Sequence, residues 1–84
     1  MYIVYVLKSL KDPRRCYIGL TENLKERVDG HNSSDSYYTK RYAPWELESY
    51  IGFKKKHLAA KFERYLKHGS GFAFLKRHLL EPLD

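Results

Sequence analysis

Tyr2-Ile3-Val4-Tyr5-Val6-Leu7-Lys8 and Cys16-Tyr17-Ile18-Gly19-Leu20 are two β-branched and aromatic runs separated by the polar, proline-containing stretch Ser9 to Arg15. Such runs favour strands, and a short polar connection makes them a hairpin. Alternation sets Tyr5 on one face with Ile3 and Leu7, and Tyr17 on one face with Gly19, so two tyrosines can meet across the hairpin. Thr21 then offers an N-cap to a helix through residues 22–31, whose Leu24 and Val28 form an apolar stripe that packs on the strands.

Outward from this hairpin, residues 32–44 read as a polar, tyrosine-rich loop. Trp45, Leu47, Ser49, Ile51 and Phe53 next alternate with Glu46, Glu48, Tyr50 and Gly52, the pattern of a third strand. Residues 57–67 place Leu58, Phe62, Tyr65 and Leu66 on one helical face, and after a Gly69-Ser70-Gly71 break a last helix over about 71–80 buries Phe72, Leu75 and Leu79. The expected fold is α+β, a small three-stranded antiparallel sheet flanked by helices in the order β-β-α-β-α-α, as a single domain over residues 1–84.

A chain of 84 residues holds one compact core, and 43% hydrophobic residues are enough to build it. Sixteen Lys and Arg against ten Asp and Glu leave a net charge of +6, which favours polyanions without choosing among DNA, RNA and acidic membrane surfaces. No apolar stretch approaches the roughly 20 residues of a membrane span, and the N-terminus lacks a basic leader. The expected place is therefore the cytoplasm, with the nucleoid, and no membrane partner. Cys16 stands alone and reads as a structural thiol.

Several residues carry chemistry on one reading and none on another. Tyr5 and Tyr17 are ordinary strand aromatics unless a cation lowers a phenol from its usual pKa near 10. Gly19 marks either a tight turn or the close approach of a ligand, and it precedes a helix N-terminus that favours phosphate. Arg27 and His31, four apart, flank the helical stripe, where a guanidinium can clamp a phosphate and an imidazole can relay a proton, unless both are solvated surface. Glu63 borders the next stripe. It is either half of an i,i+4 ion pair with Lys67 or the carboxylate of a Mg²⁺ site, since Mg²⁺ accepts one or two carboxylates and completes its shell with water and phosphate. Lys40-Arg41 and Lys54-Lys55-Lys56, with Tyr37, Tyr38 and Tyr42 nearby, suit nucleic acid or are solvated loops. Zinc spacing, a nucleotide loop and a serine elbow are all missing from the sequence.

Taken in order, Ile3-Val4-Tyr5, Tyr17-Ile18-Gly19, Arg27 and His31 on the next helix, and Glu63 resemble the GIY-YIG endonuclease family over essentially the whole chain. The segments Leu20-Thr21-Glu22-Asn23-Leu24-Lys25-Glu26-Arg27, Pro44-Trp45-Glu46-Leu47 and Tyr65-Leu66-Lys67-His68-Gly69-Ser70-Gly71 are similar to the small stand-alone bacterial members related to the structure-specific nuclease subunits. Ile3-Val4 departs from Gly-Ile while Tyr5 is kept, and residues 69–84 lack the Asn that some family enzymes place beside the site.

The resemblance implies DNA hydrolysis with one metal ion. Tyr5 would deprotonate or orient the attacking water, Tyr17 would assist it and hold the phosphate, Arg27 would steady the transition state and His31 would relay a proton. Glu63 would hold one Mg²⁺ or Mn²⁺, leaving a 5′-phosphate product. Tyr5 as base needs a lowered pKa, which Arg27, a lysine from residues 37–41 and the metal would supply. Gly19, Lys40, Arg41, Lys54, Lys55 and Lys56 would contact phosphates. The expected substrate is branched or flapped DNA with weak sequence preference, in repair or recombination, with a protein partner or a homodimer to cut both strands. The competing readings are a catalytically silent or partner-dependent nucleic-acid-binding module and an RNA-binding protein.

Overall fold

The computed structural model describes residues 1–33 and 37–82, apart from the side chains of 37 and 38. Seven elements follow one another: β1 (Tyr2–Ser9), β2 (Cys16–Thr21), α1 (Leu24–Asn32), α2 (Tyr37–Arg41), β3 (Trp45–Phe53), α3 (Lys56–Leu66) and α4 (Gly69–His78). The three strands form an antiparallel sheet, as the sequence led us to expect, and the structure sets their order as β2-β1-β3. The short α2 lies in the stretch read as loop, an addition to the expected order.

β1 is the central strand and is covered on both faces, which is why Val4, Tyr5, Val6 and Leu7 are all buried without alternation. Val4 and Val6 face one way, with Ile18, Leu20 and Phe53, onto Ala59 and Leu66 of α3 and Leu75 of α4. Tyr5 and Leu7 face the other way, with Tyr17 and Trp45, onto Leu24 and Val28 of α1. Each fully buried aliphatic side chain in these clusters contributes about 1.5–3 kcal/mol.

The third strand departs from simple alternation. Val6 pairs with Ser49 but Leu7 pairs with Leu47, so one residue of β3 is extra at that point. Because a one-residue slip turns side chains to the opposite face, Trp45 and Leu47 pack with Tyr5 while Phe53 packs with Val4 and Val6. Strict alternation would have put all of them on one face.

The helices correct the sequence reading in three places. Asn23, rather than Thr21, caps α1: its side-chain oxygen accepts from the Glu26 N–H at 3.1 Å, while Thr21 belongs to β2 and accepts from the Asn23 N–H. On α3 the core side is Ala59, Phe62 and Leu66, and Leu58 and Tyr65 are exposed, because the helix is rotated to set the small Ala59 against β1. The glycine break before α4 is its first turn. Gly69 takes φ 51°, and a Cβ at Gly71 would run into the Tyr65 carbonyl, so glycine lets α4 start directly against the end of α3.

A side-chain latch ties the other face together. Asn32, at the end of α1, accepts from the Trp45 N–H at 2.6 Å and donates to the Trp45 carbonyl at 3.2 Å. The Trp45 indole N–H donates to the Thr39 carbonyl at 2.7 Å. These bonds join α1, α2 and the start of β3. Among the described residues no helix is long and apolar enough to cross a membrane.

Candidate active site

The hairpin register places Tyr5 directly opposite Gly19. Tyr5 lays its ring across that glycine, and a Cβ there would overlap both its ring and its hydroxyl. The close approach anticipated at Gly19 is therefore made by Tyr5. Gly19 is itself buried beneath this ring.

The Tyr5 hydroxyl ends 2.9 Å from Nε2 of His31, and the two residues are 1% and 5% exposed. His31 follows Leu24 by seven positions and Val28 by three, so it continues the buried stripe of α1 instead of flanking it. Which partner carries the shared hydrogen depends on the imidazole tautomer. Tyr17, two residues before Gly19 on the same face, touches both: its ring is tilted against His31 with centroids 4.5 Å apart and stacked on Tyr5 at 6.3 Å. The edge of Trp45 closes the group at 6.3 Å from Tyr17. Tyr17 is half-buried and is the more accessible of the two phenols.

Two charged groups act on this cluster. Burial, and then the neighbouring Tyr17, push the Tyr5 hydroxyl well above the ordinary phenol value; the Arg27 guanidinium pulls it down and the Glu63 carboxylate pushes it up. Of the cations expected to lower this hydroxyl, Arg27 is the one that acts on it among the described side chains, and a hydroxyl removed from water pays more for ionising than Arg27 alone returns. Arg27 is exposed at the margin of α1, where it can reach a bound anion. Glu63, on α3, lies 3.2 Å from the Lys67 ammonium, with the two side chains 20% and 44% exposed. The ion pair weighed from the sequence is thus formed, and Glu63 is also within electrostatic reach of Tyr5.

The structure brings together Tyr5, Tyr17, Gly19, His31, Arg27 and Glu63 from four elements. The basic tracts lie on other segments, and Arg41 lines a cleft with Arg14. Lys54, Lys55 and Lys56 are exposed where β3 passes into α3, and Lys56 precedes Glu63 by seven residues, roughly 10 Å along the helix. Lys40 and Arg41 are exposed at the end of α2. Arg41 and Arg15 stack on the Tyr42 ring at 5.3 and 4.8 Å, so that ring already serves two guanidiniums. The side chains of Tyr37 and Tyr38 lie outside the described residues.

Among the described residues no three His, Cys, Asp or Glu groups converge as a metal cluster. Glu63 offers one shielded carboxylate beside phenols and a guanidinium, a donor set that suits a hard divalent ion completed by water and phosphate oxygens. Sequence reasoning missed the Asn32 latch, and it missed Arg14 and Arg15, which line a cleft beside Tyr17. Asn32 sits in a polar stretch with no periodic signal. The two arginines were visible only as part of a polar hairpin loop.

The profile of the GIY-YIG catalytic domain matches residues 1–74. The structure-specific endonuclease subunit SLX1 of Candida dubliniensis is 38% identical over 85 residues, covering 93% of this chain and 28% of that protein. Its counterpart in Debaryomyces hansenii is 36% identical over 89 residues, covering 98% and 25%. The SLX1 homolog of Giardia intestinalis is 40% identical over 62 residues, covering 69% and 17%. The chain spans about a quarter or less of the length of these relatives.

Proposed function

The chain belongs to the GIY-YIG catalytic domain family, and from that premise we propose that it is a metal-dependent endonuclease hydrolysing DNA phosphodiester bonds, selecting structure over sequence, in repair or recombination. The observation that carries this reading is the convergence of two phenols, an imidazole, a guanidinium and a carboxylate around Gly19. Phosphodiester hydrolysis needs an oriented water, a counter to charge developing on the phosphate and help for the leaving oxygen.

Arg27, exposed beside the cluster, binds a nonbridging phosphate oxygen. Tyr17 presents its hydroxyl to the attacking water, and Tyr5 and His31 form the buried proton path behind it. Tyr5 takes part as a neutral phenol, in keeping with its raised pKa. Glu63 would hold one Mg²⁺ or Mn²⁺. Bound there, the ion supplies Lewis-acid stabilisation of the phosphate and of the leaving 3′-oxygen, and the product carries a 5′-phosphate.

The relatives are named as subunits of structure-specific endonucleases. We therefore extend to this chain branched or flapped DNA as substrate and a protein partner, or a second copy, as the means to cut both strands. In a cell it would act on nucleoid DNA in the cytoplasm. Lys40, Arg41, Lys54, Lys55 and Lys56 would serve as outlying phosphate contacts.

One observation favours a second reading, a nucleic-acid-binding module that does not cut alone: the phenol of the first motif is buried and hard to ionise. Incubation with labelled single-stranded, duplex, flap and four-way-junction DNA, with Mg²⁺ or Mn²⁺ or with chelator, separates the two. Metal-dependent cutting of the branched forms supports the nuclease; binding without cutting under every condition supports the module.

A further inference from the structure

The active-site cluster continues into an open cleft of about 440 Å³ whose walls include Arg14, Arg15, Tyr17 and Lys67. Tyr17 belongs to both. On one wall, Arg14 and Arg15 share a single carboxylate, Asp12, at 3.1 and 3.7 Å, so this pair of arginines keeps one positive charge in excess, to which Lys11 of the same loop adds another. On the other wall the Lys67 ammonium is neutralised by Glu63 at 3.2 Å. Its side chain is 44% exposed and its stem is free to rotate, so the head can leave the carboxylate at little cost.

A divalent ion taken by Glu63 competes with that ammonium, because two cations cannot share one small carboxylate without repulsion. Displaced, Lys67 still lies on the wall of the cleft and adds its charge to Arg14 and Arg15. We propose that Lys67 is an exchangeable cation, which holds Glu63 until the metal takes the carboxylate and then binds DNA phosphate along the cleft with Arg14 and Arg15. Metal binding and strand binding are thereby coupled: each favours the state in which Lys67 has left Glu63. This inference rests on the reading of Glu63 as the metal's carboxylate.

The test is a Mn²⁺ titration of the whole chain, followed by paramagnetic broadening of the amide signals around Glu63, with Lys67→Met and Glu63→Gln in parallel. Lys67→Met is expected to bind Mn²⁺ about two- to fivefold more tightly, the range that an exposed ion pair sustains. In an Arg27→Ala background, where cutting is suppressed, Mn²⁺ should steepen the salt dependence of DNA binding by about 0.9 with Lys67 present and not with Met there. Unchanged or weaker Mn²⁺ binding by Lys67→Met, with binding lost in Glu63→Gln, overturns the exchange and leaves the metal site standing. Equal Mn²⁺ binding by Glu63→Gln and the unaltered protein overturns both.

Discussion

Tyr5 and His31, 26 residues apart in the chain, meet at 2.9 Å through hydroxyl and Nε2 inside the protein. The contact exists because Gly19 gives the Tyr5 ring a flat bed on β2 and because His31 is the third member of the α1 stripe. We predict that Tyr5→Phe leaves the imidazole nitrogen without this partner and costs about 1–3 kcal/mol of stability, measured by urea denaturation at pH 7. An unchanged midpoint would show that the bond contributes nothing.

The same substitution has a signature at high pH. Above the ordinary phenol value near 10 the unfolded chain gives up the Tyr5 proton while the folded chain keeps it. The folded state then binds more protons, so stability falls as pH rises, by at most about 1.4 kcal/mol per pH unit from this group. Below that value both states are protonated and Tyr5 adds no slope. We predict that Tyr5→Phe loses stability less steeply between about pH 10 and 11 than the unaltered chain. Burial also raises the Cys16 thiol, but that contribution is common to both proteins.

Gly19→Ala tests the bed itself. Its Cβ would overlap the Tyr5 ring and hydroxyl, and Tyr5, being fully buried, has nowhere to retreat without moving His31 or Leu7. The expected cost is about 1–3 kcal/mol of overpacking, with DNA cutting lowered at least tenfold under conditions where the variant is folded. Full activity in a folded Gly19→Ala protein would remove Tyr5 from the site.

Asn32→Ala breaks both hydrogen bonds to the Trp45 backbone and releases the end of α1 from β3. A loss of about 1–2 kcal/mol is predicted, read as a lowered thermal midpoint. DNA affinity at low salt should hold, since Asn32 makes no part of the basic surface. A midpoint within error of the unaltered chain would mean that the latch is decorative.

The hairpin, the three-stranded sheet and the helix order were legible because apolar periodicity reports which faces are covered. The short turns of sequence around residues 32–44 were not, because Asn32, Thr39 and Trp45 are organised by backbone-directed hydrogen bonds that leave no periodic trace. The extra residue in β3 was hidden for a related reason: Trp45 to Phe53 alternates perfectly in sequence, and only the pairing with β1 shows that its two halves face opposite ways. At the site, the partners of Tyr5 followed from motif order, but its protonation did not. A motif names the neighbouring charges and is silent on burial, which is the largest influence on this phenol.

Arg27 and Glu63 divide the chemistry, and both can be changed at little structural cost, Arg27 being exposed and Glu63→Gln keeping the shape of a partly shielded side chain whose ion-pair partner Lys67 is exposed. Arg27→Ala is predicted to lower cutting by about 10²–10³-fold while the thermal midpoint stays put, as expected for a group whose work is to stabilise transition-state charge.

The most direct test is cleavage of a labelled flap or four-way junction in Mg²⁺ or Mn²⁺ by the unaltered chain and by Glu63→Gln, with folding and DNA binding of both measured alongside. Cutting by the first and none by the second is expected, with DNA bound by both. Equal cutting by Glu63→Gln would contradict the assignment of the carboxylate, and the absence of cutting by either protein despite tight binding would contradict the nuclease itself.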